Sequence, residues 1–196
     1  MTAFVYLVRC NFADAAREAE WNAWYSGPKL DEMLTKPHFL SVQRFAAAAL
    51  DVRRKYLALW VVATPDAFTT PEYRADWGFQ IWTPQIRDWS RDLYRSPLEA
   101  GDPLFAIGPE DALYLASFDA MEPAAAGRAL AGVRGRLPGV VWHEAVGLDR
   151  HAPIVGLRKL ARSERPRALD DAPGLAETLF LPITPRHLAA PGTASD

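Results

Sequence analysis

The chain has 196 residues, 49% hydrophobic and 23% charged, with a formal net charge of −2 and one cysteine. That length buries a core without disulfide or metal staples, and no window reaches the roughly 18 uninterrupted apolar residues that cross a bilayer. Acids and bases mixed throughout argue against a nucleic-acid or anionic-lipid surface. Cys10 has no partner within the chain, which fits a reducing cytoplasm, and Met1 to Tyr6 lack the basic and apolar regions of a signal peptide. The expectation is a cytoplasmic protein without membrane contact.

In chain order, Phe4 to Val8 forms a compact β-rich run, and residues 13–25 read as a helix stopped by Ser26-Gly27-Pro28. A second short helix carries Leu30, Met33 and Leu34 on its apolar stripe. Strands are predicted over Phe39 to Ala47 and Tyr56 to Ala63, joined by a turn at residues 51–54. Thr64-Pro65-Asp66 and Thr70-Pro71-Glu72 are helix starts. Thr83-Pro84 opens a further helix, with Trp82, Ile86, Trp89 and Leu93 on one face, and Leu104 to Ile107 is a short strand.

After the Pro- and Gly-punctuated stretch from Ser96 to Glu110 the order repeats. Residues 112–118 read as a strand, 122–137 as a helix, 140–148 and 153–161 as paired strands, 166–172 as a weak helix and 176–183 as the last strand. The junction Lys36-Pro37-His38-Phe39-Leu40 matches Leu137-Pro138-Gly139-Val140-Val141. Both halves read β-α-β-β-α-β, the ferredoxin-like order, over residues 1–108 and 109–184, with a flexible tail at 185–196. The expected fold class is α+β: two fused repeats packed sheet to sheet as an intramolecular α/β barrel, monomeric or as a homodimer.

The stretch Glu20-Trp21-Asn22-Ala23-Trp24-Tyr25, with Leu30, Leu34, Pro37, Phe39 and Gln43-Arg44-Phe45, resembles the dimeric α/β-barrel superfamily, in particular EthD-like proteins. The later Thr70 to Arg74 and Trp82-Thr83-Pro84 resemble bacterial members of that group. The resemblance covers residues 3–95 and implies the barrel fold. Its members include polyketide cyclases, cofactor-free monooxygenases, isomerases and haem enzymes, so it leaves the activity open. Lys29 stands where many members carry a histidine, and lysine is the poorer base at neutral pH.

The expected function is a cofactor-independent enzyme moving a proton on an aromatic or polyketide-like substrate, in a cavity between the two sheets. Alternatives are a non-catalytic small-molecule binder, and a haem-binding or cofactor-free monooxygenase. His38, His143, Lys29 and Tyr56 are the candidates to exchange the proton. Strand alternation groups Tyr56 and Trp60 opposite the aliphatic Leu57, Leu59 and Val61, which assigns Tyr56 and Trp60 to the interior. Trp60, Trp82, Trp142, Tyr25, Ser41 and Gln43 would then bind substrate. Four scattered histidines and one cysteine give no metal-ligand spacing, and no nucleotide-binding Gly motif or nucleophile elbow is present.

Overall fold

The computed structural model describes residues 2–166, 168–169 and 171–190. Nine strands run as β1 (Thr2–Phe12), β2 (Phe39–Ala47), β3 (Tyr56–Val62), β4 (Ile86–Glu99), β5 (Asp111–Ser117), β6 (Val141–Leu148), β7 (Ile154–Ala161), β8 (Ala176–Pro182) and the two-residue β9 (His187–Leu188). Their order is β3-β1-β4-β6-β7-β5-β8-β2-β9, and β2 also pairs with β3, so eight antiparallel strands close into a barrel. In each half the first strand lies between the third and the fourth, with the second outside the third. The halves meet at two equivalent seams, β4 with β6 and β8 with β2. The short β9 extends the second seam along β2, inside the tail read as flexible from sequence. Residues 191–196 of that tail lie outside the described residues.

Register settles which face is inside. Leu57, Leu59 and Val61 of β3 stand opposite Arg9, Leu7 and Val5 of β1, and opposite Phe45, Gln43 and Ser41 of β2. These aliphatic positions join Leu113, Leu115, Val155, Leu157, Tyr94 and Phe180 in one buried cluster spanning both halves. An eight-stranded barrel has an interior just wide enough for side chains to fill, which suits this set. The assignment of Tyr56 and Trp60 to the interior is therefore corrected. Both lie on the outer face with Trp21, Tyr25, Leu30 and Met33, where a helical layer leaves room for bulkier rings.

That layer is α1 (Glu18–Trp24), a π-helical turn (Tyr25–Lys29) and α2 (Leu30–Leu34). Ser26-Gly27-Pro28 does not stop the helix: Tyr25 and Leu30 at either end of the turn are in the right-handed helical region. Proline lacks a backbone N–H and clashes with the carbonyl four residues back, and widening the turn absorbs both defects. The predicted helix start at Thr70 is real, its hydroxyl accepting from the Tyr73 amide at the head of α3 (Pro71–Ala75). The predicted helix after Thr83-Pro84 is instead β4, following a 3-10 turn (Gln80–Gln85). Positive φ at Asp88 breaks the strand's alternation, so the aromatic spacing there imitates a helical period. Leu104 to Ile107 is no strand; Pro103–Phe105 is a 3-10 turn. The second half keeps one helix, α4 (Pro123–Val133). Residues 166, 168, 169, 171 and 172 form no helix, and positions 167 and 170 of that predicted helix lie outside the described residues.

Two buried polar features tie the barrel together. At one mouth Arg9 lies 3.0 Å from Asp119 and 3.6 Å from Asp92, and Arg54 lies 2.6 Å from Asp119. These residues come from both halves. Burial pushes the Asp119 carboxyl up, but Arg9 and Arg54 outweigh it and hold it below its ordinary value. Inside the barrel His143 stands opposite Val155, fully buried, its Nδ1 3.0 Å from the Val141 carbonyl. Burial lowers it to about 4.

Two stability predictions follow from these groups, with separate pH windows. The unfolded chain protonates His143 below about pH 6.5 while the folded chain resists until about 4, so stability is lost as pH falls across that interval. His143→Gln should remove roughly 2–3 kcal/mol of the loss between pH 7 and 4.5, read by urea unfolding; an unchanged slope refutes it. Asp119→Asn leaves two buried guanidinium groups short of a counter-charge and should cost roughly 3 kcal/mol at neutral pH. Because the Asp119 contribution is lost as pH falls through its lowered folded value, the gap to this variant should close in acid.

Candidate functional site

The helical layer over the outer face of the first half is anchored from below by Arg44 of β2. Its guanidinium donates to the Asn22 carbonyl (3.3 Å), Asn22 Oδ1 (2.9 Å) and Ser26 Oγ (2.7 Å). It also lies 4.1 Å from the Tyr25 ring centre and 5.0 Å from that of Trp21. These partners are neutral, so ring faces and amide dipoles take up a fully buried cation. The held π-turn presents Tyr25 and Lys29, both buried, toward the gap under the layer. π-turns often occur at functional sites.

That gap and a neighbouring space share four lining residues and are described together as a cleft with an inner and an outer part. The inner part, of about 30 Å³, is lined by Tyr6, Tyr25, Lys29, Trp60, Tyr73 and their apolar neighbours. The outer part, of about 330 Å³, is lined by Trp77, Gly78, Phe79, Thr83, Ile86 and Trp89, four of which also border the inner part. Trp77 stacks on Tyr73 at 6.1 Å and on Trp89 at 6.0 Å. The two tryptophans form the rim, 39% and 40% exposed. Gly78, at φ +88°, makes the turn between Trp77 and Phe79, a conformation an L side chain rarely adopts.

The polar groups of the cleft converge at its inner end. Arg91 lies 4.2 Å from the Trp77 ring centre and donates to the Tyr73 hydroxyl at 3.3 Å. The Tyr6 hydroxyl is buried in the same part of the cleft, its pKa raised by burial and by the neighbouring Tyr73. The Tyr73 oxygen accepts from Arg91, which leaves its own proton to be donated. Burial raises Tyr6, Tyr73 and Tyr25 above the ordinary tyrosine value, so all three are protonated donors at neutral pH. Aromatic walls with O–H and N–H donors at one end suit a flat ring bearing oxygen.

Of the residues singled out from sequence, the cleft brings together Lys29, Tyr25 and Trp60. The others lie elsewhere. His38 occupies a turn at positive φ, its carbonyl accepting from the Ala63 amide. His143 points into the barrel as a catalytic candidate should, but that interior is packed with side chains. Tyr56 accepts from Asn22 Nδ2 at 3.0 Å. Trp82 is held between Phe12, Trp24 and Arg17. Trp142 faces the α4 side and covers Gly156, where an added Cβ would meet its ring at 2.8 Å. Gln43 bonds the backbone of Ile107 and Thr184, and Ser41 accepts from Arg186 at 2.9 Å; both face inward as expected but bind the chain itself.

Tyr6, Tyr73, Trp77, Phe79, Trp89 and Arg91 were not assigned to the site from sequence. Reading residues 86–99 as a strand would have placed Trp89, Arg91 and Leu93 on one face, the usable signal. A larger space of about 670 Å³ opens over the second half, lined by Tyr114, Arg136, Arg158 and Asp171 among others. Its polar groups already pair with one another, Tyr114 with Glu177, Arg136 with Asp171 and Arg158 with Glu164. A third, of about 430 Å³, lies at the Arg9–Asp119 mouth. No histidine lines any of these spaces, so they offer haem no histidine ligand. Among the described residues no cluster of three or more His, Cys, Asp or Glu side chains could hold a metal ion, and no helix is long and apolar enough to cross a membrane.

No family model and no curated protein matches the chain. Solved structures do share its fold. An anthrone oxidase-like protein superposes with a TM-score of 0.62 at 11% identity, over 100% of this chain and 97% of the other. A protein of Lactobacillus acidophilus provisionally assigned as a monooxygenase gives 0.50 at 8% identity, over 97% of this chain and 98% of that one. At such identities the likeness extends to architecture alone: the chain has the antiparallel α/β-barrel fold of these proteins.

Proposed function

We propose that the chain is a small-molecule enzyme that binds a flat, oxygen-bearing aromatic substrate in the first-half cleft and converts it without a cofactor. The observation that supports this is the cleft itself: a rim of Trp77 and Trp89, apolar and aromatic walls, and the Tyr6 and Tyr73 hydroxyls in its inner part, with Arg91 donating to Tyr73. The ring lies against the tryptophans and its oxygen accepts the free Tyr73 proton. That bond stabilises negative charge on the oxygen once hydroxide or water entering the open side of the cleft takes a proton from a neighbouring ring carbon. If the proton returns elsewhere on the substrate, the outcome is isomerisation, cyclisation or elimination. If dioxygen takes electrons from the anion, the outcome is oxidation, which the anthrone oxidase-like neighbour of the same fold makes the first activity to assay. The matching strand order of the halves supports the tandem duplication read from sequence.

One observation favours a second reading, binding without turnover. The cleft tyrosines are all raised in pKa, and Lys29 is paired with Glu32, so no group there is an obvious base.

Titrating the protein with an anthrone should quench tryptophan fluorescence saturably. Trp89→Ala should weaken binding about tenfold, the ~1.5 kcal/mol of an aromatic pair. An oxygen electrode then separates oxidation from proton transfer. Quenching that does not saturate, or that Trp89→Ala leaves unchanged, removes the proposal.

A further inference from the structure

Charge in the cleft wall is not balanced. Lys29 Nζ lies 3.2 Å from Glu32 Oε2, and Lys36 Nζ lies 3.2 Å from Glu32 Oε1, so two ammonium groups share one carboxylate. The lysine side chains are 4% and 7% exposed, against 32% for Glu32. Lys36 turns a further N–H to the Glu72 carbonyl at 3.0 Å, away from the cleft lining, whereas Lys29 lines the inner cleft directly. The other charged groups nearby do not cancel the excess. Asp76 is exposed and reaches Glu32 only through the Gln80 amide. Arg91 pairs with Asp149 at 3.4 Å. Arg44 lies against Tyr25 with neutral hydrogen-bond partners, adding positive charge on the far side of that ring.

A buried net positive charge is costly when nothing answers it, and it is answered by an anion in the space it borders. We propose that the cleft takes its aromatic ligand as an oxyanion, a carboxylate or phenolate, with Lys29 as the residue that selects for the charge. This rests on the reading of the cleft as an aromatic-binding site and specifies what that ligand carries. Lys29 Nζ has three N–H donors, and Glu32 does not require all of them, so one is free for an oxygen beside the Tyr73 hydroxyl.

The test compares three ligands by tryptophan quenching: 2-naphthoate, an acidic nitronaphthol ionised at neutral pH, and neutral 2-naphthalenemethanol. At least one of the oxyanions should bind about tenfold more tightly than the alcohol. Lys29→Met should abolish that preference, and Lys29→Arg should restore most of it. Glu32→Gln, which removes the shared counter-charge, should enlarge the preference several-fold. Equal binding of all three, or a preference that survives Lys29→Met, overturns the inference while the aromatic site stands. Should Lys29→Met not fold, a preference that Glu32→Gln fails to enlarge overturns it equally. If no ligand binds, the reading of the cleft itself fails and this inference with it.

Discussion

The width of an eight-stranded barrel constrains everything else in this molecule. Closing eight antiparallel strands leaves room for one set of inward side chains. Val5, Leu7, Leu59, Val61, Leu115 and Leu157 belong to the set that occupies it. Rings as large as Trp60 and Trp21 are carried outward into the layer between sheet and helices. A ligand space in such a barrel opens outside the strands, under whatever covers them. The first-half cleft is such a space, bordered by the π-turn and α2 and by residues 73–83.

The two halves share strand order yet cover their outer faces differently. The first half has six of the seven tryptophans and a continuous aromatic layer in which Arg44 is sandwiched. The second half places α4 over its outer face, with Ala126 of the helix and Ala116 of β5 in the same buried cluster. Small residues let the helix approach the sheet closely, and the polar groups around the 670 Å³ space beside it already pair with one another. Chemistry concentrated in the first half is therefore a consequence of which side chains were placed outside the barrel, not of the strands themselves.

Much of this was legible in the residues. Alternation and turn chemistry locate β2, β3, β5, β6, β7 and β8 to within a residue or two, because short half-buried strands bounded by Gly, Pro and Asp carry a local signal. Which face points inward was not legible. Leu57, Leu59 and Val61 suit either the underside of a helix or a narrow barrel, and barrel closure is a long-range property that decides between them. The spacing of Trp82, Ile86, Trp89 and Leu93 misled for a related reason: the break at Asp88 shifts the strand's period, and a shifted two-residue period resembles a helical one. The cleft inherits both errors. Lys29 stands out through the family resemblance, Trp60 through strand alternation and Tyr25 through its residue type. Tyr6, Tyr73 and Arg91 come from three separate elements, and only tertiary packing brings them together.

Counting charges separates the two polar clusters of the molecule by purpose. At the barrel mouth Arg9 and Arg54 meet Asp92 and Asp119, two cations with two anions, joining strands and turns of both halves. A balanced buried network of that kind holds a seam and has no need of a further partner. In the cleft wall Lys29 and Lys36 meet Glu32 alone. The cations are buried to a similar degree in the two places, and the balance of charge differs. An imbalance maintained beside a space lined with aromatic rings is a cost in the free protein that a charged ligand removes. The same electrostatics therefore makes the mouth structural and the cleft receptive.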